Sequence, residues 1–385
     1  MGRTAGFIIF FTIVLGVYFG GNFYIYKRAI HALHSGGTFL FLFKILLLAL
    51  ILSFPIGHLM DRFCRCEASN FLTVVGSFWL GVMLYSVLTL AFIDLLRVIN
   101  HYFNAFPQFI DSNPVTAGRI LFICAFLLVS VIMAFGFFSA RNVKITQIDI
   151  PLKKLSLKHN ALKIVQISDV HLGTIIHKGR LVEIVEKANA LNPDLVLITG
   201  DLVDENVEKL EDMVEPLSEI KSRLGVYAVT GNHEFYAGVD KAVRFMEQAG
   251  VSVLRNRYVT IDSILNLVGL DYTTSEQQLG RKNPPLETIM AGMDKSLPTI
   301  LMYHTPIRLK KAEAAGIDLQ LSGHTHKGQL FPFNLITKLV YTVDSGYARI
   351  GKMQLYVTTG VGTWGPPLRV GAPPEIVQIK LKTIP

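Results

Sequence analysis

Acidic and imidazole side chains stand where predicted strands end. Asp169 and His171 are separated by one residue and follow the apolar run Ile164 to Ile167. Because side chains at positions i and i+2 of a strand point to the same side, these two groups can converge on one cation. A carboxylate and an imidazole both suit a divalent metal, but two ligands are too few for a stable site. The remaining ligands must come from elsewhere in the chain.

Metal-type residues recur after four later apolar runs. These runs are followed by Gly200-Asp201, by Gly231-Asn232-His233-Glu234, by His304 and by Gly323-His324-Thr325-His326. In open α/β sheets, ligands bind beyond the carboxyl ends of the strands, so five strand ends should bring Asp, Asn and His together. The three glycines suit tight turns where the backbone passes close to such a site. His159 and His177 lie outside this pattern, and we interpret them as surface residues.

The elements that position these residues alternate between short apolar runs and helical patterns, which is typical of an α/β domain. The predicted strands are 145–150, 163–168, 195–199, 226–230, 265–270, 299–304, 319–322, 354–359 and 376–381. The predicted helices are 178–190, 207–220, 239–249 and 307–315. We interpret the polar insertion 273–296 as a surface loop over the site.

The first part of the chain contains four apolar stretches that reach the roughly 20 residues needed to cross a bilayer. They cover about residues 5–24, 38–59, 71–93 and 120–140. The sequence thus predicts a transmembrane region over 1–143, a basic linker with a first strand over 144–160, and a catalytic domain over 161–385. Lys and Arg in the short connections favour cytoplasmic termini. This predicts a multi-pass protein of the cell membrane with its catalytic domain in the cytoplasm.

Charge and cysteine content narrow the functional classes. The formal net charge is +8 and the mean hydropathy is +0.42. This charge is too weak to indicate a nucleic-acid binder. All three cysteines precede residue 144, so the second part has neither a disulfide framework nor a thiolate metal site; they are Cys64, Cys66 and Cys124. Asp94 and Arg97 are three residues apart at the end of the third apolar stretch, and we expect them to pair.

The ordered set Asp-x-His, Gly-Asp-x-x-Asp, Gly-Asn-His-Glu, an isolated His after a strand and Gly-His-Thr-His resembles the calcineurin-like metallophosphoesterase family. The resemblance covers about residues 160–383. The tail 360–367, together with 371–376, is similar to the membrane-associated bacterial branch of that family. The resemblance implies an α/β fold, a four-layer α/β/β/α sandwich of two packed sheets flanked by helices. Here the four predicted transmembrane helices would precede it.

The resemblance also implies a centre of two divalent ions, for which manganese, iron and zinc are all suitable. One ion is implied on three residues, which are Asp169, His171 and His326. The other is implied on Asn232, His304 and His324, and Asp201 is implied as the bridge between them. Two such ions can clamp both ends of an in-line displacement at phosphorus, with a bridging hydroxide as the nucleophile.

The resemblance assigns His233 the role of protonating the leaving oxygen or steadying the transition state. Either Asp204 or Glu234 can hold its imidazole in position. The family often has Gly after the last ligand histidine, whereas this chain has Lys327. That lysine either brings a cation to the substrate phosphate or points to solvent. Two arginines are further candidates for phosphate binding, Arg308 and Arg369.

These features predict a membrane-anchored phosphohydrolase that cleaves phosphate ester or pyrophosphate bonds. The apolar segment 330–341 begins at the last ligand motif. The expected substrate is a phosphorylated small molecule or a lipid-linked one such as a nucleotide-diphospho-lipid, with the bilayer as a partner. The segment suits an interfacial contact, but it can equally pack into the domain or against the transmembrane helices. Nucleic acid is not an expected partner, and no oligomeric state is predicted. The alternatives are a nuclease or cyclic nucleotide phosphodiesterase, and a catalytically inactive membrane sensor or scaffold.

Overall fold

The computed structural model describes residues 3–33, 36–63, 66–104, 113–155, 162–204, 210–272 and 283–383. Several sequence predictions fall partly outside these ranges, among them the end of the linker, the start of helix 207–220 and the first part of the 273–296 loop. The interpretation of His159 as a surface residue lies wholly outside them. The chain forms two compact units. One contains residues 1–137 and 365–367, and the other contains residues 138–364 and 368–385.

The first unit is built from long apolar helices. They are α1 (Arg3–Leu33), α2 (Gly37–Phe63), α3 (Glu67–Phe103) and α4 (Pro114–Arg141). Within the described residues, three segments are long and apolar enough to cross a membrane: Gly37–Asp61, Glu67–Phe103 and Val115–Arg141. They contain the predicted spans 38–59, 71–93 and 120–140. The predicted span 5–24 falls within α1, where several side chains are not described, so a fourth span stays a prediction.

Glycines let α2 and α3 approach closely. A Cβ atom on Gly76 would lie 2.4 Å from the Cα of Phe54, and one on Gly57 would lie 2.7 Å from the backbone nitrogen of Thr73. Small residues at such contacts are typical of membrane helices, which associate through close backbone packing. The expected pair is confirmed, because Arg97 Nη1 lies 3.1 Å from Asp94 Oδ1.

Substitution of Gly76 tests this packing. We expect Gly76→Ala to lower the melting temperature of the detergent-solubilised protein by several degrees, because overpacking of this kind costs about 1–3 kcal/mol. Gly20→Ala in α1 is the matched control, since no atom lies within 4 Å of its added Cβ. Equal melting temperatures for the two variants, measured by differential scanning fluorimetry, would contradict the close contact.

The second unit contains two six-stranded sheets. The first has the order β1 (Lys144–Leu152), β12 (Glu375–Thr383), β2 (Leu162–Ile167), β3 (Leu195–Ile198), β4 (Val226–Ala228), β5 (Ser252–Val253). The second has the order β10 (Gly346–Ile350), β11 (Met353–Val357), β9 (Leu319–Ser322), β8 (Thr299–Tyr303), β7 (Leu265–Leu270), β6 (Arg257–Ile261). Strands β2 to β5 run parallel, and so do β7, β8, β9 and β11. The carboxyl ends of the strands that precede the motifs therefore lie at one edge in each sheet.

Helices complete the outer layers. They are α5 (Lys178–Ala190), α6 (Val214–Ser218), α7 (Asn232–Ala237), α8 (Val239–Gln248), α9 (Leu286–Ile289), α10 (Leu309–Ala314) and α11 (Phe333–Val340). The central core joins the two sheets through residues such as Ile164 and Leu321. A second core packs α5 and α8 on the first sheet, through Ile184 and Phe245. A third packs α10 on the second sheet. This confirms the predicted four-layer α/β/β/α sandwich.

The sequence located the buried strands better than the edge strands. Helix 178–190 and strands 265–270 and 319–322 have the predicted bounds. The edge strands β5, β6 and β10 were not predicted, because β5 has two residues and β10 has no buried residue to mark its period. The predicted helix 207–220 is a single turn of 3₁₀ helix at Glu211–Met213 followed by the short α6 within its described part.

Candidate metal centre

Five strand ends meet at one place in the second unit. Asp169 follows β2, Asp201 follows β3, Asn232 follows β4, His304 follows β8 and His324 follows β9. Six of the seven predicted ligands are buried and His324 is half-buried. The structure brings six of the seven predicted ligands together in groups of close donors, namely Asp169, His171, Asp201, His304, His324 and His326. The seventh, Asn232, stands between Gly231 and His233, whose backbones lie against the Asp201 carboxylate.

Asp169, His171 and His326 form one group of donors that could hold a metal ion. The Nε2 atoms of the two histidines are 3.0 Å apart, and His326 Nε2 lies 3.4 Å from Asp169 Oδ1. Ligand nitrogens about 2.1 Å from one cation are separated by about 3.0–3.4 Å, depending on the angle between them. The spacing of this group fits a single metal ion.

Asp201, His304 and His324 form a second group. His304 Nε2 lies 3.0 Å from Asp201 Oδ2 and 3.2 Å from His324 Nδ1. Asn232 Oδ1 is buried without a hydrogen-bond donor among the described residues. Because a buried acceptor without a partner is costly, this oxygen fits a cation ligand. Asp201 also belongs to a third group, with His171 and His233, and so lies between the first two.

Burial and mutual charge set the pKa values of these groups. Burial acts against ionisation of Asp201, but the facing imidazole of His304 outweighs it and holds the pKa of Asp201 well below its usual range. The same contact overcomes burial and raises the pKa of His304 to about 10. Burial and the charge of His304 lower the pKa of His324 to about 3. Such strong mutual perturbation is typical of functional sites.

The backbone is unusual at most of these ligands. Asp169, His171, Asp201, His324 and His326 have φ values of 55°, 56°, 50°, 72° and 47°. Non-glycine residues rarely adopt this left-handed conformation, and it persists where the surroundings enforce it, often at functional sites.

Two glycines leave room for the ligand carboxylates. A Cβ on Gly231 would lie 2.1 Å from Asp201 Oδ1, and one on Gly323 would lie 2.2 Å from Asp169 Oδ2. The expected close passage of the backbone at these glycines is confirmed. Only a residue without a side chain can stand at these two positions.

His233 lies beside the ligands, against Asp204. Its Nδ1 is 2.8 Å from Asp204 Oδ1, and its ring packs edge-on against His171 with centroids 4.5 Å apart. Burial lowers the pKa of His233, but the carboxylates of Asp204 and Asp201 outweigh burial and raise it to about 9. Of the two carboxylates that the sequence left open as its partner, Asp204 is the one in contact with its ring.

Glu234 has a different place. Its carboxylate accepts backbone N–H bonds from Asp201 at 3.0 Å, Val203 at 3.1 Å and Gly231 at 2.6 Å. It thus joins the loop after β3 to the loop after β4. A sequence signal for this role existed, because a glutamate three residues after a helix N-cap is the pattern of a capping box.

Glu234→Gln should destabilise the catalytic unit. The glutamine side chain has one oxygen acceptor, and its NH₂ group would face backbone N–H donors. Buried donors would be left without acceptors, which costs about 1–3 kcal/mol of folding free energy each. We expect a lower midpoint in chemical denaturation. The exposed Glu186 of α5 supplies the control variant Glu186→Gln, and equal midpoints for both variants would refute the structural role.

Arg369 is buried within the protein. Its guanidinium donates to backbone oxygens of Thr359 at 2.8 Å and Gly362 at 2.5 Å, and Nη2 lies 3.1 Å from His326 Nδ1. The side chain has no exposed surface, so its prediction as a phosphate-binding residue was wrong. It holds the loop after β11 against a candidate ligand. The interpretation of Arg308 as a phosphate contact stays a prediction; its side chain is exposed.

Aromatic rings surround the centre. Tyr236 and Trp364 lie against His233, with centroid distances of 5.3 and 6.0 Å. Tyr272 and Tyr341 lie against His324, at 5.7 and 6.2 Å. Tyr341 ends the apolar segment 330–341, whereas no local sequence pattern distinguishes Tyr236 and Tyr272 from packing residues.

A buried set of oxygen and nitrogen donors lies at one edge of a two-sheet α/β sandwich and could hold metal ions, an arrangement expected of a metal-dependent hydrolase domain. The family model for calcineurin-like phosphoesterases matches residues 162–328. A metallophosphoesterase of Campylobacter jejuni is 31% identical over 387 residues, which cover 98% of this chain and 99% of that protein. The chain belongs to the calcineurin-like metallophosphoesterase family, as the sequence motifs implied.

Two other relatives match over part of their length. A metallophosphoesterase of Helicobacter pylori is 41% identical over 241 residues, covering 62% of this chain and 64% of that protein. A transmembrane protein with metallophosphoesterase domain from Danio rerio is 34% identical over 272 residues, covering 68% of this chain and 62% of that protein. The chain thus spans less than two thirds of the length of these relatives. Apolar helices and a metallophosphoesterase domain occur together in this chain, which indicates an association with membranes.

Proposed function

We propose that the protein is a membrane-anchored phosphohydrolase with a dinuclear metal centre, which cleaves phosphate ester or pyrophosphate bonds. The observation that carries the proposal is the convergence of six predicted ligand side chains, with the buried, unpartnered Asn232 Oδ1 and the His233–Asp204 pair as further members of the site. Metal-dependent hydrolysis at phosphorus is the reaction class that such a centre serves.

The ligands divide between two ions as the family motifs imply. Asp169, His171 and His326 would hold one ion. Asn232, His304 and His324 would hold the other, and Asp201 would contribute to both. Manganese, iron and zinc all suit this mixture of carboxylate, amide and imidazole donors. When bound, such ions supply Lewis acidity to the phosphoryl oxygens and make water a stronger acid.

His233 and Asp204 would handle the proton of the leaving group. Asp204 contacts Nδ1 of His233, which leaves Nε2 as the atom that can donate a proton to the leaving oxygen. The carboxylate of Asp204 favours the charged imidazole and fixes the orientation of its ring, so Asp204 is a positioning residue.

The membrane segments and the apolar segment 330–341 support a lipid-linked substrate, such as a nucleotide-diphospho-lipid, over a small soluble phosphate. We propose a multi-pass protein whose catalytic unit lies in the cytoplasm, since positive residues in the short connections favour that orientation. The weak net charge of +8 does not favour a nuclease. The complete donor set does not favour an inactive sensor or scaffold.

Two substitutions separate metal binding from proton transfer. Asp201→Asn should lower the metal content of the purified protein and abolish hydrolysis of bis-p-nitrophenyl phosphate. His233→Ala should retain the metals and lower kcat by about 10²–10⁴-fold, the usual contribution of a general acid. The exposed His177 provides the control His177→Ala, which should behave as the wild type. Metal content is read by mass spectrometry.

The proposal is contradicted if Asp201→Asn binds the same amount of metal as the wild type. It is also contradicted if the wild type, loaded with manganese, iron or zinc in turn, hydrolyses neither phosphate esters nor pyrophosphates.

A further inference from the structure

Helix α11 exposes nearly all of its apolar side chains. It has no buried residue, and five of its eight residues are large hydrophobics with 41–88% of their surface exposed. These are Phe333, Leu335, Ile336, Leu339 and Val340. Four of them stand at positions i, i+1, i+4 and i+5 and therefore share one side of the helix; they are Leu335, Ile336, Leu339 and Val340. The polar residues Asn334 and Thr337 lie on another side.

The polar side fixes α11 to the catalytic unit. Thr337 Oγ1 donates to Asp344 Oδ2 at 2.8 Å, and Thr325 Oγ1 donates to the backbone oxygen of Asp344 at 2.5 Å. The first turn packs on Gly328, where a Cβ would lie 2.4 Å from the backbone nitrogen of Asn334. Gly328 stands two residues after the candidate ligand His326, so the helix is held next to the metal centre.

The loop that carries Trp364 is joined to the start of α11. Gln329 is buried, and its side-chain amide donates to the backbone oxygen of Trp364 and accepts from its backbone nitrogen, both at 2.9 Å. The backbone nitrogen of Phe331 donates to the oxygen of Val370 at 2.8 Å. Phe331 and Trp364 are 50% and 57% exposed. We name the apolar side of α11, together with Phe331 and Trp364, the apolar rim.

We propose that the apolar rim docks on the surface of a lipid bilayer and seats the metal centre against the head groups. This inference rests on the proposed function and adds the partner of the site. The rim approaches the centre from two sides, because Trp364 contacts the ring of His233 and Tyr341, the residue after α11, contacts the ring of His324. A phosphate held at the bilayer surface would then lie within reach of both.

A bilayer fits the rim better than a protein partner does. An apolar side flanked by lysine is typical of helices that lie in a membrane interface. Lys338 on α11 is exposed and Lys327 is half-exposed, and the sequence from 327 to 343 contains no acidic residue. These charges complement phosphate head groups. Tryptophan prefers the same interface, and helices of the same chain are long and apolar enough to cross a bilayer.

Fluorescence quenching tests the docking without any need for catalysis. Full-length protein is reconstituted in vesicles of phosphatidylcholine and phosphatidylglycerol, with bromine atoms near the glycerol end or near the methyl end of the acyl chains. The chain has two tryptophans, so the difference between the wild type and Trp364→Phe isolates Trp364. We expect Trp364 to be quenched more by the shallow bromines than by the deep ones.

A kinetic comparison tests whether docking serves the substrate. Hexadecyl p-nitrophenyl phosphate in vesicles and methyl p-nitrophenyl phosphate in solution carry the same reacting group and differ in the lipid tail. Ile336→Ser with Leu339→Ser should lower hydrolysis of the lipid ester by about tenfold or more, since each loses burial of a large side chain. The rate of methyl ester hydrolysis should change by less than about twofold, which corresponds to a change in activation free energy smaller than RT. The exposed Val182 of α5 supplies the control Val182→Ser, which should alter neither rate.

Absence of quenching by either bromolipid would overturn the proposal, and so would equal effects of the rim variants on both esters. If Trp364 is shielded from aqueous acrylamide but not quenched by bromolipid, a protein partner or a second copy covers the rim and the proposal is wrong. A protein that hydrolyses neither ester, and no other phosphate ester or pyrophosphate, but shows shallow quenching would refute the proposed function and leave the docking supported.

Discussion

The burial of two carboxylates against a cluster of imidazoles is the constraint on which the catalytic unit depends. Asp169 has no exposed surface and Asp201 has 2%, and His304 Nε2 lies 3.0 Å from Asp201 and 3.9 Å from Asp169. Taking an ionised carboxylate out of water costs several kcal/mol unless positive charge compensates it. Cations held among these groups would supply that charge. Two backbone N–H groups also stabilise the carboxylates, because that of His324 donates to Asp169 Oδ1 at 3.0 Å and that of His233 donates to Asp201 Oδ1 at 2.9 Å.

The backbone conformation around the centre is consistent with the same constraint. A left-handed conformation costs a non-glycine residue about 1–3 kcal/mol, yet five of the candidate ligands adopt it. Their carboxylates and rings are directed inward, while Gly231 and Gly323 leave the space that those carboxylates occupy. Glu234 and Arg369 then fix the loops through backbone groups. Because metal binding to a prepared donor set stabilises the folded state, bound ions would offset part of the strain.

Much of the fold and of the centre could be predicted because both depend on local signals. Buried parallel strands have continuous apolar runs, and each ligand follows such a run directly. Other features depend on contacts distant in sequence. The choice of Asp204 over Glu234 beside His233 depends on how two loops meet, and the burial of Arg369 depends on carbonyl groups that close around it. The apolarity of segment 330–341 is evident in the sequence. The sequence does not reveal that the segment contains a helix that is anchored on one side and exposed on the other.

We propose that the centre holds two metal ions and that Asp201 contributes to both. Electron paramagnetic resonance of the purified protein, loaded with manganese(II), measures this most directly. We expect two manganese ions per chain and the spectrum of an exchange-coupled pair, since ions about 3.5–4 Å apart in two-metal sites share bridging ligands. One manganese ion per chain, or the six-line signal of isolated ions at full loading, would contradict it.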